Sequence, residues 1–289
     1  MIPLWFLLSL GSAICIGIMD IIAKHVLKED DPYIVVLGRM LFAAPLLLPI
    51  LLISGIPKFG PGFWSSLIIL TPLEILAAIL FMKGLSKSPI ALTVPFLAFT
   101  PAFMILTGFV ILGETLTLYG ISGILLIVLG TYILNIKNWR KGILAPFKAI
   151  KDEIGSVYLL GVAVIFSITS VLGKKAVVAS SPLFFAGFYI PLLALLMFPI
   201  AIKKSSNIKK LFKKPGLLVI MGVLLALTAV LHFTAISMVD AAYMISVKRT
   251  SILLSTVLAY FIFKEDHITE HLIGAGLMLA GVVIITLLG

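Results

Sequence analysis

Long apolar runs, broken at short intervals by charges, glycine and proline, make up nearly the whole chain. They predict helices at 4–23, 33–54, 63–82, 90–112, 116–136, 156–176, 183–202, 216–237, 241–263 and 270–288. Each run is close to the roughly 20 residues that a helix needs to cross the hydrocarbon layer. Strict apolar/polar alternation in runs of about ten, the mark of a membrane β-barrel, is absent. Connections are short except for Lys137 to Gly155 and Lys203 to Pro215. The expected fold class is an all-α integral membrane protein with ten transmembrane helices.

Composition agrees with the pattern. Of the 289 residues, 61% are apolar and only 12% are charged, about half the charged fraction of a typical globular domain. A soluble enzyme, a disordered chain and a single anchored domain are all excluded, because no stretch is polar enough to be one. One Cys and four His offer neither a disulfide framework nor an ordinary Cys/His metal site. The segment Met1 to Trp5 has no Lys or Arg, and Cys15 follows Ile14. The first run is therefore expected to stay as a membrane helix rather than act as a cleaved signal.

The net charge of +10 could suggest nucleic acid, but the charges lie where topology puts them. One set of loops holds 16 Lys and Arg, the opposite set holds Lys58, Lys174 and Lys175, and Arg39, Lys248 and Arg249 fall within helices. The basic side is expected to be cytoplasmic, in a multi-pass plasma-membrane protein with both termini outside. The basic loops meet anionic lipid headgroups, so the lipid bilayer is the expected partner and nucleic acid is not.

The chain repeats itself. A shift of 150 residues lays Gly11–Lys24 over Gly161–Lys174, Pro32 over Pro182 and Pro49 over Pro199. A shift of 151 lays Ala91 over Ala242, Glu114 over Glu265, Gly123 over Gly274 and Gly130 over Gly281. The two halves, 1–145 and 155–289, each carry five predicted helices. An odd number makes the second half enter the membrane the opposite way up. Such inverted repeats are typical of secondary transporters, with the site at the repeat interface near mid-bilayer.

Each half closes with a small-residue helix, an acidic break and a Gly-spaced helix. The first half reads Ser88-Pro-Ile-Ala91, Pro101, Leu112-Gly-Glu114, Gly123 and Gly130. The second reads Ala241-Ala242, Phe263-Lys-Glu265, Gly274 and Gly281. Lys24, Pro32 and Gly38-Arg39 precede them. Together these resemble the EamA-like branch of the drug/metabolite transporter superfamily, over nearly the whole chain. The resemblance implies alternating access and export or exchange of small metabolites, often amino acids. Two features depart from it. Ile252 stands where the first half has Pro101, and the basic loops put the termini outside, whereas familiar members keep theirs in the cytoplasm.

Among the repeated residues, the Gly pairs seven apart share a helix face and suit close helix packing. Glu114 and Glu265 sit between helices, where a carboxylate suits the positive end of the next helix dipole. His267-Ile-Thr-Glu270-His271 matches a zinc-peptidase pattern. It lies on a tight interhelical turn with no acidic residue after it to serve as third ligand, so no metal site is expected there.

The unrepeated charges inside spans carry the functional expectation, since each costs about 2.5–3.5 kcal/mol on insertion scales unless paired or wetted. They are Asp20, Arg39, Glu74, Lys248 and Arg249, with His232 as a titratable neutral. Asp20 and Arg39 lie toward one end of their helices and could pair, or Arg39 could snorkel. Glu74, Lys248 and Arg249 are predicted near mid-bilayer, where their net positive charge suits a substrate carboxylate or phosphate. Thr71, Ser246, Thr250 and Ser251 are candidate hydrogen-bond donors, and Tyr243 and Phe96 candidate walls. Glu74 could carry a coupling proton.

The expected function is a secondary transporter of a small anionic or zwitterionic metabolite, such as an amino acid or organic acid, with no cofactor. The alternatives are a proton-coupled exporter of cationic drugs, which the two central bases oppose, and a membrane scaffold without transport. A membrane enzyme is not expected, since the chain shows no phosphate loop and no nucleophile with a base.

Overall fold

The computed structural model describes residues 2–134, 154–205, 208–213, 215–263 and 269–289. In chain order the first half contains α1 (Leu4–Val26), α2 (Pro32–Ser54), α3 (Phe63–Lys87), α4 (Ile90–Thr93), a 3₁₀ segment (Val94–Ala98), α5 (Phe99–Leu112) and α6 (Leu118–Leu134). The second contains α7 (Ile154–Val178), α8 (Pro182–Lys204), the short α9 (Lys210–Lys213), α10 (Gly216–Ile236), α11 (Ala241–Lys248), α12 (Ser251–Phe263) and α13 (Thr269–Leu288). Among the described residues, eight helical stretches are long and apolar enough to cross a membrane. Two shorter apolar ones, Leu118–Thr131 and Gly276–Leu288, lie where the fifth and tenth spans were predicted.

Repeated residues make repeated local structure. Pro32 and Pro182 each open a helix at its first position, where the missing N–H costs nothing. The residue before each caps it: Asp31 accepts from the backbone N–H of Tyr33 and Ile34, and Ser181 from that of Phe184. Lys24 Nζ donates to the Ser88 carbonyl at 2.8 Å, and Lys174 Nζ to the Val239 carbonyl at 2.8 Å. Glu265, the expected mate of Glu114, lies outside the described residues.

The packing is paired in the same way. Helix α1 lies along α10 as α7 lies along α3, while α2 packs on its mate α8 and α6 on its mate α13. The glycines explain the last contact. A Cβ on Gly123 would stand 2.8 Å from the Gly281 carbonyl oxygen, and one on Gly130 would stand 2.6 Å from that of Gly274. Contact between 123 and 281 and between 130 and 274 means that α6 and α13 run antiparallel. One pairing breaks the symmetry: α2 packs closely on α10, whereas their counterparts α8 and α3 barely meet.

Large apolar side chains cover the outside, where Ile53 is 86% exposed and Phe261 71%, and most of the buried residues are apolar too. Charges within the spans are turned inward, with Asp20 3% and Arg249 4% exposed, which suits a hydrocarbon surround.

The fourth span of each half is broken. In the first half the 3₁₀ segment holds Pro95, which has no N–H to give the helix ladder. In the second, Arg249 and Thr250 separate α11 from α12 with short-range bonds, among them Thr250 N–H to the Val247 carbonyl and Ile252 N–H to the Arg249 carbonyl, each 3.0 Å. The sequence pattern predicted both spans as unbroken.

Candidate functional site

The break in the second half gives Lys248 and Arg249 their setting. Lys248 closes the last turn of α11 and Arg249 is its C-cap, where a cation meets the negative end of the helix dipole. The other end of α11 is capped by a carboxylate, because the Ala241 N–H donates to both oxygens of Glu114 at 3.3 and 3.2 Å. An eight-residue helix is thus held by an anion at its start and cations at its end.

Lys248 and Arg249 line a central cavity of about 180 Å³ together with Asp20, Arg39, Glu74 and His232. Six of the seven predicted site residues therefore meet in one place, from α1, α2, α3, α10 and α11 and its cap. Asp20 is in the field of Arg39 and Arg249, and Glu74 in that of Lys248, Arg39 and Arg249. Among the described residues no direct ion pair joins these five charges. Lys248 Nζ instead donates to His232 Nδ1 at 3.2 Å. Arg249 donates to the Thr100 hydroxyl at 2.9 Å and lies over the Phe166 ring, 5.6 Å from its centroid. Arg39 lines the cavity, and its Nε is buried without a partner.

Buried orphan polar atoms are found here. Of nine such side-chain atoms among the described residues, three belong to charged groups that line the cavity: Asp20 Oδ2, Arg39 Nε and Arg249 Nε. Buried polar groups are nearly always satisfied. A cluster of unsatisfied ones around a hollow suits a polar guest.

Tyr243 does not line this cavity. It is five residues from Lys248 on the same helix, about 140° around it at 100° per residue. Its hydroxyl instead accepts from the Thr117 N–H at 3.0 Å, and the ring borders a second cavity. Phe96 is also absent from the lining, and its neighbour Leu97 takes the place. Thr71, Ser246 and Thr250 turn their hydroxyls back to the carbonyls of Leu67, Ala242 and Val247. The His267–His271 motif begins outside the described residues. Among those described, no group of three or more His, Cys, Asp or Glu could hold a metal ion.

The lining also contains Tyr189, Thr169, Ser170, Thr228 and Phe166, which inspection of charges alone misses. The repeat was the signal for most of them. Ile16 and Phe166, Met19 and Thr169, Asp20 and Ser170, and Arg39 and Tyr189 are pairs at a shift of 150. Glu74 and Leu225, Phe81 and His232, and Leu97 and Lys248 are pairs at 151. Both members of all seven pairs line the cavity, which therefore sits between the halves, and four of the pairs carry a charge on one member only.

Comparison with known proteins places this architecture. A family model described as the EamA-like transporter family matches residues 3–136 and, a second time, residues 153–287. A solved structure titled only "Crystal structure of protein" covers 99% of this chain and 99% of its own, with a TM-score of 0.75 and 16% identity. At that identity the likeness shows the fold alone. No curated protein matches the chain.

Proposed function

Because the chain belongs to the EamA-like transporter family, and so is a membrane transporter rather than an enzyme, we propose that it is a secondary transporter of a small anionic or zwitterionic metabolite. The substrate is an amino acid, an organic acid or a small phosphate bearer, bound in the central cavity between the halves 1–145 and 155–289. Ten spans in two inverted repeats, with basic loops in the cytoplasm and both termini outside, form the frame in a plasma membrane. Alternating access moves the substrate through it.

One observation carries the substrate reading. At their ordinary charges the three bases and two acids of the cavity leave one positive charge. Lys248 lies in the field of Glu74 but makes no direct ion pair among the described residues, and its ammonium contacts the His232 ring. A substrate carboxylate or phosphate would supply the missing anion, and charge-assisted bonds of this kind are the strong ones. Asp20 and Glu74 remain to receive an amino group. Export of cationic drugs is less well supported, since Arg39 and Arg249 act on both acids.

The test is uptake and counterflow in proteoliposomes against a panel of labelled amino acids, organic acids and small phosphates. Lys248→Ala and Arg249→Ala should each lower transport of the accepted anion at least about tenfold, equivalent to roughly 1.4 kcal/mol, while the protein still inserts. Wild-type rates in both variants would discard the site.

A further inference from the structure

A second cavity of about 510 Å³ lies at the end of the molecule that carries Trp5 and Gly289. Between it and the central cavity stands a charged cluster that the substrate reading does not use. Lys174 Nζ contacts Glu114 Oε1 at 2.5 Å and Asp240 Oδ1 at 3.8 Å, with all three side chains partly or largely shielded. Gly173 lines the central cavity, while its neighbour Lys174 lines the outer one. On α10, Phe233 faces the first cavity, and Ser237, just beyond the helix, faces the second.

The cluster ties the halves together. Glu114 belongs to the first half, between α5 and α6, whereas Lys174 and Asp240 belong to the second. Gly113 sets the carboxylate in place. It takes a left-handed φ of 71°, which a side chain would resist, and the chain turns so that the Glu114 N–H bonds the Gly108 carbonyl at 3.3 Å. The Tyr243 hydroxyl adds a second tie by accepting from Thr117 N–H.

We infer that Glu114, Lys174 and Asp240 form the gate of this transporter on the face of its termini, and that α11 links the gate to the substrate site. The argument rests on the transporter reading and on the central cavity being its pathway. Glu114 caps the first residue of α11, and Lys248 and Arg249 stand at its other end, about 12 Å away at 1.5 Å per residue. A rigid helix of this length carries displacement from one end to the other. When Glu114 leaves the Ala241 N–H and Lys174, the start of α11 is released and the partition between the cavities opens.

The experiment reads accessibility and needs no substrate. In the full chain with its single cysteine removed (Cys15→Ala), Ser170→Cys places a thiol in the central cavity. A membrane-impermeant anionic methanethiosulfonate is applied from the terminus-bearing face, and modification of residue 170 is followed by peptide mass. Glu114→Gln or Lys174→Met should speed modification at least tenfold from this face and should not speed it from the opposite face. Equal rates with the gate intact and broken would overturn the proposal. If those variants do not insert, Glu114→Cys with Lys174→Cys joined by a short bis-methanethiosulfonate linker should slow modification at least tenfold, reversibly with reductant, and an unchanged rate would overturn it. The two readings fail separately. Gate-dependent labelling with transport indifferent to Lys248→Ala keeps the gate and loses the substrate site, and the reverse result does the opposite.

Discussion

Lys248 places its ammonium 3.2 Å from Nδ1 of His232, so that a cation at the end of α11 rests on an uncharged ring of α10. An ammonium only donates, so Nδ1 accepts and the imidazole carries its proton on Nε2. Two carboxylates line the same cavity, and neither forms a direct ion pair with Lys248. The lysine is thus held by a neutral partner, with Glu74 near enough to act on it but not in direct contact. On the proposed transport reading His232 is a positioning residue.

His232→Gln keeps an acceptor and should keep transport within about threefold. His232→Leu removes it, and a hydrogen bond to a charged group is worth about 1.5–3 kcal/mol. The apparent affinity for the anion should then change about tenfold or more, with Lys248 free to swing. Concentration dependence of counterflow in the two variants checks this. Equal behaviour would mean that the ring only fills space.

The glycine seam between α6 and α13 gives a stability prediction with an internal control. A Cβ on Gly281 would approach the Gly123 carbonyl oxygen to 2.5 Å, whereas one on Gly276 meets nothing within 4 Å. Gly281→Ala should destabilise by about 1–3 kcal/mol through overpacking, seen as a lower melting temperature in detergent. Gly276→Ala should be neutral or slightly stabilising, by up to about 1 kcal/mol, because alanine favours the helix.

Much of this was legible in the sequence because lipid makes single residues conspicuous. A charge in an apolar run is costly, so Asp20, Arg39, Glu74, Lys248 and Arg249 stood out one at a time, and the cavity collects all five. Tyr189, Thr169, Ser170 and Thr228 did not stand out. A hydroxyl in a membrane helix can satisfy itself on its own backbone, as Thr71 and Ser246 do. The repeat makes three of them visible, since it lays Tyr189 on Arg39, Thr169 on Met19 and Ser170 on Asp20, whereas Thr228 has no cavity-lining mate. The break after Lys248 was hidden because no proline marks it, and Tyr243 was placed by closeness in sequence when its angle around α11 turns it elsewhere.

Glu74→Gln should change selectivity as well as rate. The cavity holds three bases against two acids, so removing one negative charge raises its net charge from one to two. Anions should gain relative to zwitterions, whose amino group loses a partner. A shift of about tenfold in the ratio of the two transport rates corresponds to about 1.4 kcal/mol, well within the range of a charge pair near a partly wetted site. Competition between an amino acid and the organic acid of the same carbon skeleton measures it. Equal losses for both would mean that Glu74 serves the fold or the driving ion.

Orientation is the last prediction, and it rests on loop charge. The loops on one side hold 16 Lys and Arg against three on the other, and basic loops are retained in the cytoplasm. Several of them are exposed in the structure, among them Lys203, Lys204 and Lys209. Trp5 and Gly289 border the same outer cavity, so the two termini share a face. Lys203 and Lys204 end α8, whose start lies with the end of α7 and hence with Lys174 on the terminus face. Crossing the membrane along α8 carries the chain to the opposite, basic side. Alkaline phosphatase fused after Gly289 should therefore be active, and a fluorescent protein that folds only in the cytoplasm should stay dark there. Adding four lysines after Gly289 should lower phosphatase activity if loop charge sets the orientation. A bright fluorescent fusion on the natural chain would reverse the assignment, and with it the face on which Glu114 and Lys174 close the pathway.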